Sequence, residues 1–442
     1  MTISAAAKGA PVVLAGLLLA YGPAATAQNG PTGESARSDL SASTTADLFL
    51  RDRSVSVRDR PHPEYDSGPH RVGAFNVTPT VEVTGEYNDN IYALDTDKVS
   101  DSIAHVHPSV YVDSNWARHY VSILATGTLN RYASHTLENT NDWQLRTSDR
   151  IDLVRGSSVT LGADAGRFTE PRTSSSTQSL SVKPIRFRQY DAFVAGVREV
   201  NRIRLSVRGD WRKFDYQDGI DASGLPVFEQ DRDHSVGSLL VRGDYALSPE
   251  TAVFLQVSGN RRDYRLEPPA VPVGRDSNGA EILGGLNFEL TNLIRGELSA
   301  GYLDQHYKDV RFNTLHGLGM RGQVEWFPTP LTTVTLFTIR SIEDSGIPGT
   351  SGYLSTIFSV EFDHELLRNL ILTAVGSRAS DEYFGIDRTD RRLDLNASAT
   401  YLMNRRIGWT IGYSHLNQHS RGLTPGPTYG VNRVTLELTA HL

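Results

Sequence analysis

Residues 393–413 read LDLNASATYLMNRRIGWTIGY. Apolar and polar side chains alternate in both halves of this stretch, and Asn404 and Arg405 lie between the halves as a short polar turn. A period of two predicts strands with one apolar and one polar face. The stretch therefore predicts an antiparallel hairpin whose apolar positions are Leu393, Leu395, Ala397, Ala399 and Tyr401, then Ile407, Trp409, Ile411 and Tyr413.

The same alternation runs from Phe75 to the last residue, interrupted by polar connections. It places about eighteen strands on the chain. A count of sixteen is also possible, because residues 181–200 change phase near Gln189 and residues 331–342 fit either phase.

The connections alternate between two lengths without a break. Transmembrane barrels have short periplasmic turns and longer external loops, whereas a soluble sandwich has no reason to follow that rule. The pattern predicts an all-β fold, a transmembrane antiparallel up-and-down β-barrel of residues 75–442 in a bacterial outer membrane, with both chain ends in the periplasm. The short connections are 115–117, 155–157, 200–202, 248–250, 291–292, 328–330, 365–367 and 404–405, and the long ones are 88–102, 134–141, 170–181, 218–233, 266–280, 304–313, 343–352, 381–390 and 417–432.

Aromatic residues recur on the apolar face shortly before the short turns. Aromatic rings at that depth form the interfacial girdle of a barrel, with the ring in hydrocarbon and its polar edge near the headgroups. The alternative is that they are ordinary cross-strand aromatics, which strands favour in any setting. The predicted girdle consists of Tyr245, Phe288, Trp326, Phe362 and Tyr401.

The N-terminus has the organisation of an export signal. Lys8 precedes the apolar residues 10–21, and Ala25-Thr26-Ala27 provides a small-residue cleavage site. We expect residues 1–27 to be a signal peptide, although an uncleaved anchor helix is the alternative. Residues 28–74 are polar and predict a largely flexible periplasmic tail. An exported barrel would meet the barrel-assembly machinery, outer-membrane lipid and lipopolysaccharide.

Composition excludes several classes of function. The chain has no cysteine, which rules out disulfides, thiolate metal sites and cysteine nucleophiles. The net charge of -7 comes without a long basic run, so nucleic acid is not an expected partner. Asn88-Asp89-Asn90 offers oxygen atoms that could suit Ca²⁺, but one carboxylate is too few and a turn is the better interpretation. We expect neither a metal nor a cofactor.

The polar faces should line the lumen, which in a barrel of this size is wide enough for an aqueous channel. Charged side chains are concentrated on the polar faces of two successive strands, and we call this row of residues the lane. It would favour anionic solutes if its cations were free, but pairing of opposite charges across strands is the better interpretation. The lumen-lining candidates are Arg204, Arg208, Asp210, Arg212, Arg242 and Asp244.

Serine and histidine residues cluster near the end of one strand, at Ser414, His415, His419 and Ser420. They raise the hypothesis of an outer-membrane hydrolase acting on lipopolysaccharide or surface glycan. No local catalytic signature accompanies them. We therefore expect no enzyme and name no catalytic residue.

Two N-terminal motifs resemble those of a known family. Residues 60–66 read RPHPEYD, and residues 86–92 read EYNDNIY, with Tyr87, Asp89 and Asn90 at the family's Y-x-D-N positions. The sequence thus resembles the putative β-barrel porin 2 family. The resemblance implies an outer-membrane channel, most plausibly a conduit for polysaccharide export that works with a periplasmic polysaccharide-export protein. A general or solute-specific diffusion porin is the alternative.

Overall fold

The computed structural model describes residues 55–174, 181–268, 270–347 and 349–442. The expected signal peptide, residues 1–27, and the first part of the expected tail lie outside the described residues. Within the described part, no helix is both long enough and apolar enough to cross a membrane.

Strands account for most of the described chain. They are β1 (His70–Val72), β2 (Phe75–Asn88), β3 (Asp101–Ser114), β4 (His119–Tyr132), β5 (Thr140–Asp152), β6 (Ser157–Thr169), β7 (Arg186–Val200), β8 (Ile203–Tyr216), β9 (Gly219–Ile220), β10 (Pro226–Val227), β11 (His234–Ser248), β12 (Thr251–Tyr264), β13 (Ser277–Leu290), β14 (Ile294–Tyr307), β15 (Leu315–Thr329), β16 (Thr332–Glu343), β17 (Gly352–Leu367), β18 (Leu370–Phe384), β19 (Thr389–Asn404), β20 (Ile407–Arg421) and β21 (Tyr429–His441). In the part of the chain that the structure describes, the short 3₁₀ turns Thr136–Glu138 and Gln230–Arg232 lie in the connections.

The sheet closes into a barrel of eighteen antiparallel strands, β2–β8 and β11–β21. Each strand pairs with its neighbours along the chain, and β21 pairs with β2 to remove both edges. The prediction of eighteen strands is confirmed and sixteen is wrong. The expected phase change near Gln189 is absent, because β7 pairs in continuous register with both β6 and β8.

The lengths of the connections follow the predicted alternation. One end of the barrel carries the turns 115–118, 153–156, 201–202, 249–250, 291–293, 330–331, 368–369 and 405–406. The other end carries 89–100, 133–139, 170–185, 217–233, 265–276, 308–314, 344–351, 385–388 and 422–428, of which 385–388 is as short as a turn. The first end is periplasmic and the second external by the rule for such barrels.

The two faces of each barrel strand differ as the alternation predicts. On β19, Leu393 and Leu395 are exposed, whereas Asp394 is partly covered. Among the described strands, side chains from strands that are not neighbours meet on the polar face. Arg242 of β11, for example, bonds to Glu297 of β14 at 2.8 Å, across two intervening strands. A closed sheet permits such contacts only on its inside, so the polar face lines the interior and the apolar face is turned outward.

The seam of the barrel involves both chain ends. β21 pairs with β2 from Thr80 to Asn88, and the short strand β1 pairs with the remaining part of the same edge, from Phe75 to Val77. Gly73 connects β1 to β2 with φ +62°, a conformation that favours glycine. The last residue, Leu442, donates its N–H to the Pro79 carbonyl at 3.1 Å.

The last part of the expected tail lies within the described residues, and its flexibility remains a prediction. From residue 55 onward it contacts the barrel, and Val57 is 1% exposed. The sheet also begins earlier than the predicted boundary at Phe75, because β1 belongs to it. Barrel carboxylates pair with the charges of Arg58 and Arg60 in this segment, which its own composition does not reveal.

Candidate functional site: the barrel interior

The predicted lumen-lining residues share the inward face of two adjacent strands. Arg204, Arg208, Asp210 and Arg212 alternate on β8 with the exposed apolar residues of the outer face. β11 continues the lane, because Asp244 pairs in register with Arg204, and Arg242 is two residues along β11 on the same face. The structure thus brings all six residues into one lane.

Three arginines of this lane are paired with carboxylates. Arg208 binds Asp210 at 2.7 Å, and Arg212 binds Asp191 of β7. Arg242 contacts both Asp244 and Glu297 at 2.8 Å, and its guanidinium also lies 3.7 Å from the Phe254 ring centroid. The lane therefore has the cross-strand pairing that the sequence favoured over a row of free cations, and it offers little net attraction to anions.

Carboxylates exceed guanidiniums on the inward face as a whole. Strand β17 shows this in a single column, Glu361, Asp363 and Glu365, with no basic residue on the same face. Of the barrel strands, only β12 presents an inward Arg, Arg262, without an inward carboxylate. The strands with inward carboxylates but no inward Arg or Lys are β2, β3, β6, β7, β13, β16, β17 and β18.

The external loops fold into the mouth of the barrel. Glu170, at the start of loop 170–185, is paired at 2.7 Å with Arg232 of loop 217–233, and both side chains are buried. Thr173 of the first loop accepts a hydrogen bond at 2.9 Å from the hydroxyl of Tyr429 on β21. A loop that follows β6 thus reaches the inner face of the last strand, and the external mouth is narrower than the barrel.

Loop 344–351 is held inside the same mouth through its first residue. Asp344 accepts a hydrogen bond from Tyr264, and its carboxylate lies 3.9 Å from Arg262 and 3.7 Å from the His234 ring. Burial opposes ionisation of this carboxyl, but the electrostatic attraction of the His234 ring and of Arg262 and the Tyr264 hydrogen bond outweigh it and lower the Asp344 pKa. These groups line a cavity of about 130 Å³ below the loops.

The N-terminal segment occupies the periplasmic mouth. Its Arg58 binds Glu361 at 2.5 Å and lies 3.8 Å from Asp363, and its Arg60 binds Glu365 at 2.6 Å. The acidic column of β17 therefore receives two guanidiniums from residues about three hundred positions earlier. We call residues 55–69 the N-terminal clamp.

Further contacts carry the clamp across the barrel end. The Val57 amide donates to the Thr333 hydroxyl of β16 at 3.0 Å. Arg405, in the turn between β19 and β20, donates to the Pro63 carbonyl at 3.1 Å. The sequence analysis missed this arrangement. The sequence feature that could have revealed it is the run of carboxylates at alternate positions of β17, which have no basic partner on a neighbouring strand.

The predicted girdle residues occupy the outward face near the periplasmic turns. Tyr245, Trp326, Phe362 and Tyr401 are between 42% and 47% exposed there, as interfacial rings would be. Phe288 has the same phase on β13 but is only 9% exposed. The assignment of an interfacial role to these rings remains a prediction.

The family-motif residues fasten the seam at the external end. Asp89 accepts hydrogen bonds from the backbone and side-chain amides of Asn432, at 2.7 and 2.6 Å. Asn90 is 1% exposed and donates to the carbonyls of Leu94 and Gly430, at 2.7 and 3.1 Å. Tyr87 lies outward and is half exposed. Asp89 and Asn90 thus join the first loop to the last strand, and their oxygen and nitrogen atoms already have protein partners.

The serine and histidine residues of β20 do not form a catalytic group. Ser414 and Ser420 lie on the inward face, whereas His415 and His419 lie on the outward face. The wall of the barrel separates each hydroxyl from each imidazole, so neither histidine can act as the base for either serine. Within the described ranges, no cluster of three or more His, Asp or Glu side chains could hold a metal ion.

Solved structures with similar architecture include outer-membrane proteins of Pseudomonas aeruginosa. OpdK with vanillate is 10% identical (TM-score 0.42; 83% of this chain and 98% of that chain covered), and OpdL is 10% identical (0.44; 84% and 99%). The ferric enterobactin receptor PfeA, as an R480A/Q482A mutant, is 8% identical (0.45; 85% and 81%). No curated protein sequence matches the chain.

The family profile gives the decisive comparison. It matches residues 62–442, from within the clamp to the last residue, and so includes the whole barrel, the second N-terminal motif and the first motif from His62 onward. A closed barrel with a polar interior is the architecture that a channel of the outer membrane requires. The chain therefore belongs to the family described as "Putative beta-barrel porin 2", and it is a porin-like channel of the bacterial outer membrane.

Proposed function

We propose that the protein is a diffusion porin for small solutes, with a preference for cations. The observation that carries the proposal is the excess of inward carboxylates over guanidiniums, which remains after the clamp residues Arg58 and Arg60 pair with the acidic column of β17. Charged groups that line a pore favour the passage of oppositely charged ions. The lane of β8 and β11, in which three arginines are paired with carboxylates, does not oppose this preference.

Polysaccharide export, which the family resemblance implied, has less support. The external loops and the N-terminal clamp both reduce the cross-section available to a hydrated polymer. A small solute needs much less space. A diffusion porin, the alternative from the sequence, therefore fits the interior better.

The test is the reversal potential of single channels in planar bilayers under a tenfold KCl gradient. We expect the sign that corresponds to K⁺ being more permeant than Cl⁻, with resolved conductance in the absence of any partner protein. Anion preference would contradict the proposed selectivity. A barrel that is closed to ions but passes a polysaccharide in reconstituted vesicles would overturn the diffusion function and restore export.

A further inference from the structure

The outward face of β4–β8 carries a group of cations near the external loops. Arg131, Arg167, Arg188 and Lys213 lie there, close to the loop ends of β4, β6, β7 and β8. On each strand they share the outward face with exposed apolar residues. We call these four residues the outer basic patch.

The patch brings like charges together. Arg167 and Arg188 are direct partners in the register of β6 and β7, and both point outward. Side chains opposite each other in a sheet have Cβ atoms only about 5 Å apart, so two guanidiniums there repel unless an anion lies between them. Within the described part of the chain, neither arginine forms a salt bridge. Asp215, the register neighbour of Arg188 on β8, forms none with it.

One asparagine of β5 orients two of the cations. The Asn141 carbonyl accepts a hydrogen bond from Nε of Arg167 at 3.0 Å, and its side-chain oxygen accepts one from Arg131 at 2.6 Å. These are uncharged acceptors, so they position the guanidiniums without neutralising them. The remaining N–H groups are available to a ligand outside the barrel.

Exposed aromatic rings give the depth of the patch. Trp143 is the register partner of Arg167 on the outward face, and Tyr190 is the partner of Lys213. Trp143 is 46% exposed and Tyr190 is 37% exposed. Aromatic rings on the outer surface of a barrel concentrate at the boundary between hydrocarbon and headgroups. The cations beside them are therefore level with the headgroups of the outer leaflet.

The periplasmic ends of the same strands lack a comparable group. Their outward charges are Asp149 on β5 and Arg198 on β7, which offset each other, together with the imidazole His119 on β4. On the outward faces of strands β4–β8 the excess of positive charge thus lies at the external end, whereas the further periplasmic cations, Arg118, Arg155 and Arg202, lie in the turns.

We propose that the outer basic patch binds the phosphate groups of lipopolysaccharide in the outer leaflet. Guanidiniums form paired, charge-assisted hydrogen bonds with phosphate oxygens, and an anion between Arg167 and Arg188 removes their mutual repulsion. The acyl chains of the same lipid lie against the apolar face below. This surface is independent of the solute that crosses the pore.

The test measures binding of lipid A to the purified full-length protein in detergent by native mass spectrometry. The probes are bis-phosphorylated lipid A and the same lipid after removal of both phosphates. The variant is Arg167→Gln with Arg188→Gln. The control, Arg155→Gln with Arg198→Gln, removes the same charge at the periplasmic end. Retention of heat-modifiable mobility in gels establishes that each variant is folded.

We expect the wild type and the control to bind the phosphorylated lipid about tenfold more tightly than the dephosphorylated one, and the variant to lose this difference. Equal binding of the two lipids by the wild type would overturn the proposal, because acyl contacts alone would then account for it. Equal loss in the variant and the control would also overturn it, because the effect would then be one of overall charge.

Discussion

At the scale of single residues, Asn90 shows how one polar side chain secures the seam. It is almost fully buried and joins the loop after β2 to the carbonyl of Gly430 on β21. It also accepts a hydrogen bond from the Leu94 amide at 3.0 Å. The sequence motif therefore stabilises closure of the barrel at the point where strands distant in sequence meet.

Replacement of Asn90 by Ala should destabilise the barrel by roughly 2–4 kcal/mol, because it removes three partly buried hydrogen bonds. Urea unfolding from lipid vesicles measures the loss. Asn278→Ala, at an exposed outward position of β13, is the control and should have little effect. A stability equal to wild type would show that the seam does not depend on this side chain.

At the scale of elements, the N-terminal clamp and the external loops restrict the two mouths of a wide barrel. The clamp is held by ion pairs to one strand, and loop 344–351 is held by the contacts of Asp344. Neither segment belongs to the barrel wall. Each can therefore be released without opening the sheet, and the two mouths can be tested separately.

Arg58→Gln with Arg60→Gln should increase single-channel conductance, because the clamp loses its hold on the acidic column of β17. Planar-bilayer recordings measure the change. Arg118→Gln, in a periplasmic turn and away from the clamp, is the control for charge. Unchanged conductance in the double variant would mean that the clamp leaves the ion path free.

The pH response of the external mouth follows from the lowered pKa of Asp344. A carboxyl with a lowered pKa stabilises its loop at pH values above its ordinary range, and this contribution is lost as the pH falls through the lowered value. Conductance should therefore stay constant from about pH 7 to about pH 5 and change only in stronger acid. Asp344→Asn should already show the acid-state conductance near neutral pH. A variant with the wild-type conductance and pH profile would contradict this role.

At the scale of the whole molecule, charge is divided between the two faces of the barrel wall. Carboxylates predominate inside, whereas the outer basic patch lies outside at one end. The net charge of -7 conceals this division. The inward excess of carboxylates concerns ion passage, and the outer basic patch concerns lipid binding. The two can therefore be changed independently.

Removal of inward carboxylates should lower the K⁺ to Cl⁻ permeability ratio, while the same change on the outward face should not. Asp113→Asn with Asp394→Asn is the inward pair, and Asp149→Asn with Asp215→Asn is the outward pair. Reversal potentials measure both ratios. Equal effects from the two pairs would contradict selection by the lumen wall.

The sequence alone predicted the strand count within narrow limits, the closed barrel, the location in the outer membrane and the side of the membrane on which each connection lies. Each of these rests on a local property: a period of two for the strands and the length of each connection for its side. It also placed Arg204 to Arg212 on a single face, because residues two apart on a strand share a face.

Only the tertiary structure decided which charges meet inside the barrel. Arg242 reaches Glu297 across two strands, and Arg58 reaches Glu361 from the opposite end of the chain. Such contacts depend on the stagger of the strands and on the diameter of the closed sheet, which no local pattern encodes. For the same physical reason, the composition of the N-terminal segment could not show that its arginines meet the acidic column of β17.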